Sequence, residues 1–303
     1  MPFIRAVFAT TALTAMLSIA AGSAHAGAYI FSGTDADDHG SATATANVQG
    51  WLYMQRAIEN LGAAVTNGNK VVVSLGSNVG TTAGNAAASA FNKSSLAAAG
   101  WTYVVVDSAA SITAFFNGTG STTASSAGVI MLDSGSVNVT GGLASDEDSV
   151  LTSNAGKINS FLGTGGALFS QANTNGFLST LVPGLSIVAS SQTGINLTAA
   201  GSAAFPGLSN SDLSAGPYHV KFTNVGSIPV LGVGTGSYAS DSIIIGASAG
   251  SITAPVTSVS EPASMLPLMA GLAAVGLARQ RVARSGKQNA TGSSLLDGQA
   301  MPT

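Results

Sequence analysis

With 303 residues, a formal charge of −3 and no cysteine, the chain excludes disulfide frameworks and thiol nucleophiles. Charged residues are 8% of the total, and between residues 27 and 260 five basic residues face eleven acidic ones, a formal charge of −6. A basic nucleic-acid groove is therefore excluded as well.

Residues 1–26 read as a secretory signal peptide. Arg5 supplies the positive start, Ala6 to Ala21 the apolar run, and Ala24-His25-Ala26 the small-x-small cleavage site. Signal peptidase is then the first partner and Gly27 the first mature residue. Residues 27–250 form a secreted cargo domain large enough for one good-sized core. Ala28 to Phe31 is a first short strand. Val48, Trp51, Leu52, Ile58, Leu61 and Val65 recur at helical spacing, with Gly62 as the stop. Val71 to Leu75 is a second strand, Ala86 to Ala99 a small-residue helix ended by Gly100, Tyr103 to Val106 a third strand and Val129 to Leu132 a fourth. Ser145 and Asp148 resemble a capping box that opens a helix through Leu151, Ile158, Phe161 and Leu162, closed by Gly163. Gly166 to Ser170 is a fifth strand. These continuous apolar runs, without alternation, predict strands buried on both faces of a largely parallel sheet with helices on both faces. Beyond Pro183 the pattern turns β-rich: Leu185 to Val188, Tyr218 to Phe222, Pro229 to Val233 and Ser242 to Ile245 read as strands. Residues 251–260 are a linker.

In an open parallel sheet, ligands bind outside the carboxyl ends of the strands. Asp35, Asp107 and Asp133 fall there, and Asp35 begins the dense set Asp35-Ala36-Asp37-Asp38-His39. Oxygen-rich groups of this kind suit calcium, magnesium or manganese. The same loop also reads as a turn whose aspartates accept backbone hydrogen bonds. The metal or ligand candidates are thus Asp35, Asp37, Asp38, His39, Asp107 and Asp133, whereas His219 on an alternating strand reads as structural or hydrogen-bonded and not as a ligand. Asp146, Glu147 and Asp148 read as charges favoured at a helix start. Gly246-Ala247-Ser248-Ala249-Gly250 matches a nucleophile-elbow pattern, but Ser251 to Pro255 supplies no following helix. No complete nucleophile, base and oxyanion set can be assembled, so the cargo reads as non-catalytic. The alternative is a secreted metal-dependent hydrolase using the Asp/His cluster after the first strand.

The C-terminal end carries the most specific signal. Glu261-Pro262-Ala263-Ser264 opens an uncharged run through Ala278, followed by Arg279, Arg281 and Arg284. As one hydrophobic helix, residues 263–278 would span about 24 Å. That length is somewhat short for a crossing of roughly 20 residues, and snorkelling arginines help to cover the deficit. Residues 261–284 resemble a PEP-CTERM sorting signal of Gram-negative bacteria, also labelled the C-terminal domain of ice-binding proteins. The resemblance implies an inner-membrane intermediate held by this transmembrane helix. It further implies processing by an exosortase-type transpeptidase, followed by transfer to the cell surface or the extracellular exopolysaccharide matrix, with polysaccharide as a neighbour. Ser260 stands where the pattern has its first proline, and residues 285–303 extend past the arginines as a polar tail expected to be disordered. The cargo in turn resembles class I glutamine-amidotransferase-like and flavodoxin-like folds, through Lys157 to Leu168 with its helix-then-Gly-Gly-strand step, Phe205-Pro206-Gly207-Leu208 and Tyr218-His219. Catalytic members use a cysteine on a strand-to-helix elbow. This chain has none, so the resemblance implies the fold without that activity.

Overall fold

The computed structural model describes residues 27–39, 50–171, 176–214 and 216–247. The expected signal peptide, linker, sorting signal and tail lie outside them. Ten strands join in one mixed sheet: β1 (Tyr29–Ser32), β2 (Val71–Leu75), β3 (Thr102–Val106), β4 (Val129–Leu132), β5 (Ala167–Gln171), β6 (Ser186–Thr193), β7 (Ile195–Leu197), β8 (Pro217–Thr223), β9 (Val230–Gly234) and β10 (Ser242–Ala247). The order is β3-β2-β4-β5-β1-β10-β8-β6, with β9 paired to β10 and β7 to β9. The first five strands are mutually parallel, and every pairing made by the last five is antiparallel. The fold is therefore α/β with a β-rich second half. The flavodoxin order places the first strand between the second and third. Here β1 lies at the far end of the parallel set, between β5 and β10.

Eight α-helices accompany the strands among the described residues: α1 (Gly50–Ala64), α2 (Thr82–Asn92), α3 (Ser95–Ala98), α4 (Ala109–Asn117), α5 (Ser145–Ser153), α6 (Ala155–Gly163), α7 (Phe177–Leu181) and α8 (Ala199–Ala204). Strand side chains alternate between two cores, as the period of two requires. Ile30, Val72, Val129, Met131 and Phe169 meet Tyr53, Met54 and Ile58 of α1 and Phe91 of α2 on one side. Phe31, Val73, Ile130, Leu132 and Leu168 meet Phe115 of α4, Leu151 of α5, Ile158 of α6 and Phe177 of α7 on the other. Each fully buried Val, Leu, Ile or Phe contributes roughly 1.5–3 kcal/mol, which explains how a chain so poor in ion pairs holds together. Right-handed crossovers put α1 to α3 on one face while the chain steps from β1 through β2 to β3. They put α4 to α6 on the opposite face as it steps back through β4 to β5. The following connections thus diverge to opposite faces at two places, between β2 and β4 and between β5 and β1.

Local readings shift in three places. Gly62 does not stop α1, which continues to Ala64; a Cβ there would press within 2.6 Å of Leu96, so the glycine admits α3. The helix expected from Ala86 to Ala99 is two, broken at Lys93-Ser94, and starts earlier because Thr81 caps it by accepting from the Gly84 N–H. The helix expected from Ser145 to Gly163 is also two, and in place of a full box only its return bond forms: the N-cap is Ala144, whose N–H donates to the Glu147 carboxylate at 2.8 Å. Three helices carried no expectation: α4, α7 and α8. Among the described residues, no helix is long and apolar enough to cross a membrane; the run 263–278 falls outside them.

Candidate functional site

All five parallel strands end on the same side, and the loops there bring the acids together. Leaving β1, the chain continues through Gly33 and Thr34, past the start of β10 to β8. Thr34 bridges Tyr218, and the His219 N–H donates to the Gly33 carbonyl at 2.9 Å. A Cβ on Gly33 would collide with the Val220 carbonyl, so only glycine allows this approach. The loop then turns twice, with the Asp38 N–H donating to the Asp35 carbonyl and the His39 N–H to that of Ala36. These turns send successive side chains in different directions.

Asp35, Asp38 and His39 each offer a ligand atom, and these atoms lie within 4.8 Å of one another. His39 Nε2 stands 3.7 Å from both Asp35 Oδ2 and Asp38 Oδ2. His219 Nε2 approaches the same Asp35 Oδ2 to 2.9 Å, a hydrogen bond when that nitrogen carries its proton. Asp35 is 3% exposed, while the side chains of Asp38, His39 and His219 keep 38%, 36% and 30% of their surface open to solvent. The second oxygen of Asp35, Oδ1, is buried without a hydrogen-bond partner. The floor beneath is polar too: the Ser32 and Thr34 hydroxyls bond each other at 2.8 Å.

Asp37 points the other way. It is wholly buried, and its carboxylate accepts from the Ser134 N–H at 2.9 Å and the Ser134 hydroxyl at 2.7 Å. Beside it, Asp133 accepts from the Ser77 hydroxyl, which also bonds Ser74. Burial pushes the Asp37 carboxyl up to about 6; the bonds from Ser134 work against that rise, and the Asp35 charge adds slightly to it. Asp133 is raised well above the usual carboxylate range, first by burial and then by the Asp37 charge, against the bond from Ser77. Two like charges this deep favour keeping a proton on the pair. This pair lies where β2 and β4 diverge.

Asp107 joins neither group. It sits at the end of β3 with Glu147, whose two oxygens accept from the Ser108 and Ala144 N–H groups at 2.8 Å each. Between them Ser108 adopts φ 80° and ψ 144°, a strained backbone at a strand-to-helix step. Its hydroxyl oxygen serves as the cap of α4, accepting from the Ser111 N–H. Both histidines of the described residues stand at the Asp35 group instead. A recess of about 320 Å³ lined by Phe115, Phe116, Lys157 and Phe161 opens at the amino ends of β4 and β5, away from the carboxylates.

The six candidates thus divide into three sets. Asp35, Asp38 and His39 converge, Asp37 and Asp133 form a buried pair beneath them, and Asp107 belongs to a backbone-bound carboxylate pair. His219, Ser134, Ser77 and Glu147 complete the three sets. The alternation of Pro217–Thr223, with Tyr218, Val220 and Phe222 inward, is the one sequence signal that leaves His219 facing outward. Comparison with family models, curated proteins and solved structures finds no match for this chain.

Proposed function

We propose that the chain is an exported protein directed to the cell surface or exopolysaccharide matrix by a PEP-CTERM-like signal. On this reading, its α/β domain acts by binding and not by catalysis. The address rests on residues 1–26 and 261–284, read as sequence. The binding half rests on one observation: Asp35, Asp38 and His39 present ligand atoms within 4.8 Å at the carboxyl end of β1, where open α/β sheets hold ligands. Supporting it, the groups that catalysis would draw on are otherwise engaged. Asp37 and Asp133 are sealed among serine hydroxyls, and the Ser108 oxygen caps a helix. The resemblance to amidotransferase-like and flavodoxin-like folds is carried here as α/β layering, without the flavodoxin strand order and without the catalytic cysteine.

Mass spectrometry of the extracellular and surface fractions tests the address. The mature form is expected to begin at Gly27 and to end near residue 260; intact Thr303 peptides outside the cell would overturn the processing. The second reading, a metal-dependent hydrolase, is favoured by the imidazole–carboxylate contact between His219 and Asp35. A hydrolase panel on metal-loaded protein separates the two. Reproducible turnover that Asp35→Asn abolishes would replace binding with catalysis.

A further inference from the structure

We infer that Asp35, Asp38, His39 and His219 together hold one first-row divalent ion of the zinc type, with both imidazoles as nitrogen ligands. This rests on the reading that the β1 loop is a ligand site, and it names the ligand. The first argument is convergence. Two imidazoles separated by most of the domain's sequence turn the same atom, Nε2, toward the same carboxylate oxygen, at 2.9 and 3.7 Å. Asp38 Oδ2 stands 3.7 Å from His39 Nε2. Ligands at about 2.0–2.2 Å around a tetrahedral ion sit roughly 3.4 Å apart. The spacings of His39 to both carboxylates and of His219 to Asp35 bracket that value. His219 stands outside the group whose atoms lie within 4.8 Å, so the half-open side chains of His219, Asp38 and His39 must close around the ion to complete the set.

The second argument is the bare oxygen of Asp35. A carboxylate that is 3% exposed and leaves Oδ1 without a donor is costly unless a cation balances it. His219 satisfies only Oδ2. Among the described residues, Lys221 and Arg56 are committed elsewhere, Lys221 to Asp241 at 2.9 Å and Arg56 to Glu59 at 2.6 Å. An ion between the two aspartates would supply that charge, and would relieve Oδ1 directly if both Asp35 oxygens held it.

The donor set then selects the metal. Calcium takes six to eight oxygen ligands in the common case, and magnesium keeps most of its waters. Two imidazoles and two carboxylates instead suit zinc and its first-row neighbours. The sequence, read without His219, favoured the oxygen-seeking ions. Adding a second nitrogen reverses that preference.

The test uses the full-length protein, purified without a polyhistidine tag and stripped with EDTA. Cobalt serves as the spectroscopic probe, followed by competition with zinc, calcium and magnesium. Expected are the intense visible absorption of four-coordinate cobalt, saturation at one equivalent, displacement by zinc, and indifference to millimolar calcium or magnesium. Zinc should also raise the melting midpoint by mass action. His219→Ala and His39→Ala should each weaken cobalt binding at least about tenfold while circular dichroism stays that of the parent. Should His219→Ala not fold, His39→Ala and the parent spectrum decide alone. A site that takes calcium and not zinc overturns the nitrogen-ligand assignment and leaves the surface-binding reading in place. Binding of no ion, or histidine variants that bind like the parent, overturns the site itself. The export half is judged by the position of the processed terminus, on which none of these outcomes bears.

Discussion

Asp37 and its neighbours Asp35 and Asp38 lie within four residues of one another, yet they occupy opposite electrostatic worlds. Asp35 and Asp38 stand among imidazoles at a rim where Asp38, His39 and His219 are open to water and Asp35 is buried. Asp37 stands with Asp133 among serine hydroxyls, wholly enclosed. The rim group has imidazole partners and open side chains around it. The enclosed pair has neutral donors, and the means left to reduce its repulsion is to hold a proton. Equal residue types thus acquire different chemistry from burial and from the kind of donor alone.

The sharpest way to break this contrast is to remove the junction that creates it. Gly33→Ala drives a methyl into the Val220 carbonyl and prises the β1 loop from β8. It should cost about 3 kcal/mol or more, seen as a large fall in the denaturation midpoint, and should separate His219 from Asp35. A variant that melts like the parent would show that β8 does not depend on this close approach.

The enclosed pair offers the next effect, and its sign is opposite. An acid whose folded pKa is raised stabilises most when it is protonated in both states. Stability is therefore fully present below the ordinary value near 4 and is lost as pH rises through the folded value, about 6 for Asp37. Asp133→Asn keeps the shape, lets Ser77 keep an acceptor, and removes the acid that must hold a proton to avoid a second buried charge. It should raise stability at pH 7 by roughly 1–2 kcal/mol and flatten the decline between pH 4 and 7. Melting midpoints measured across that range check it; parallel curves for parent and variant would mean that the pair carries no such repulsion.

Glu147 sharpens the comparison with a third arrangement, a carboxylate held by backbone N–H groups. Although burial raises its pKa, the bonds from Ala144 and Ser108 oppose the rise. Glu147→Gln offers one acceptor oxygen to two donors and should destabilise by about 1 kcal/mol, measured by urea unfolding. The smallest effect belongs to the rim. Asp38→Asn, on a side chain 38% exposed, should change stability in EDTA by less than about 0.5 kcal/mol. A larger loss would place Asp38 with the enclosed group.

Much of this layout was legible along the chain. The largely β-branched and aliphatic runs Val71–Leu75 and Val129–Leu132 fall on β2 and β4 residue for residue, because a strand buried on both faces is mostly apolar and admits a polar side chain such as Ser74 only where it finds a hydrogen-bond partner. The helical stripe Trp51, Ile58 and Leu61 is the buried face of α1. The segment before β4 hid α4, since Ile112, Phe115 and Phe116 sit among serine, threonine and glycine and its cap is a serine in a strained conformation. Reading the site reached less far than reading the elements. His219 reads along the chain as structural or hydrogen-bonded, and it does bond Asp35, but that partner was not legible; Asp107 and Asp133 looked equal as acids at strand ends.

Local chemistry is written within a few residues, so periodicity, β-branching and the clustering of Asp35, Asp37, Asp38 and His39 were set by the sequence alone. Contacts between distant segments were decided only by the packed sheet. The meeting of His219 with Asp35 spans 184 positions and depends on where β8 lies, while that of Asp37 with Ser134 spans 97 and depends on which loop meets the end of β4. The position of β1 between β5 and β10 follows from the crossovers, which no stretch of residues encodes by itself. Side-chain direction at a turn, and the burial that moves a carboxyl's proton, exist only once the two sides of the sheet have closed over it.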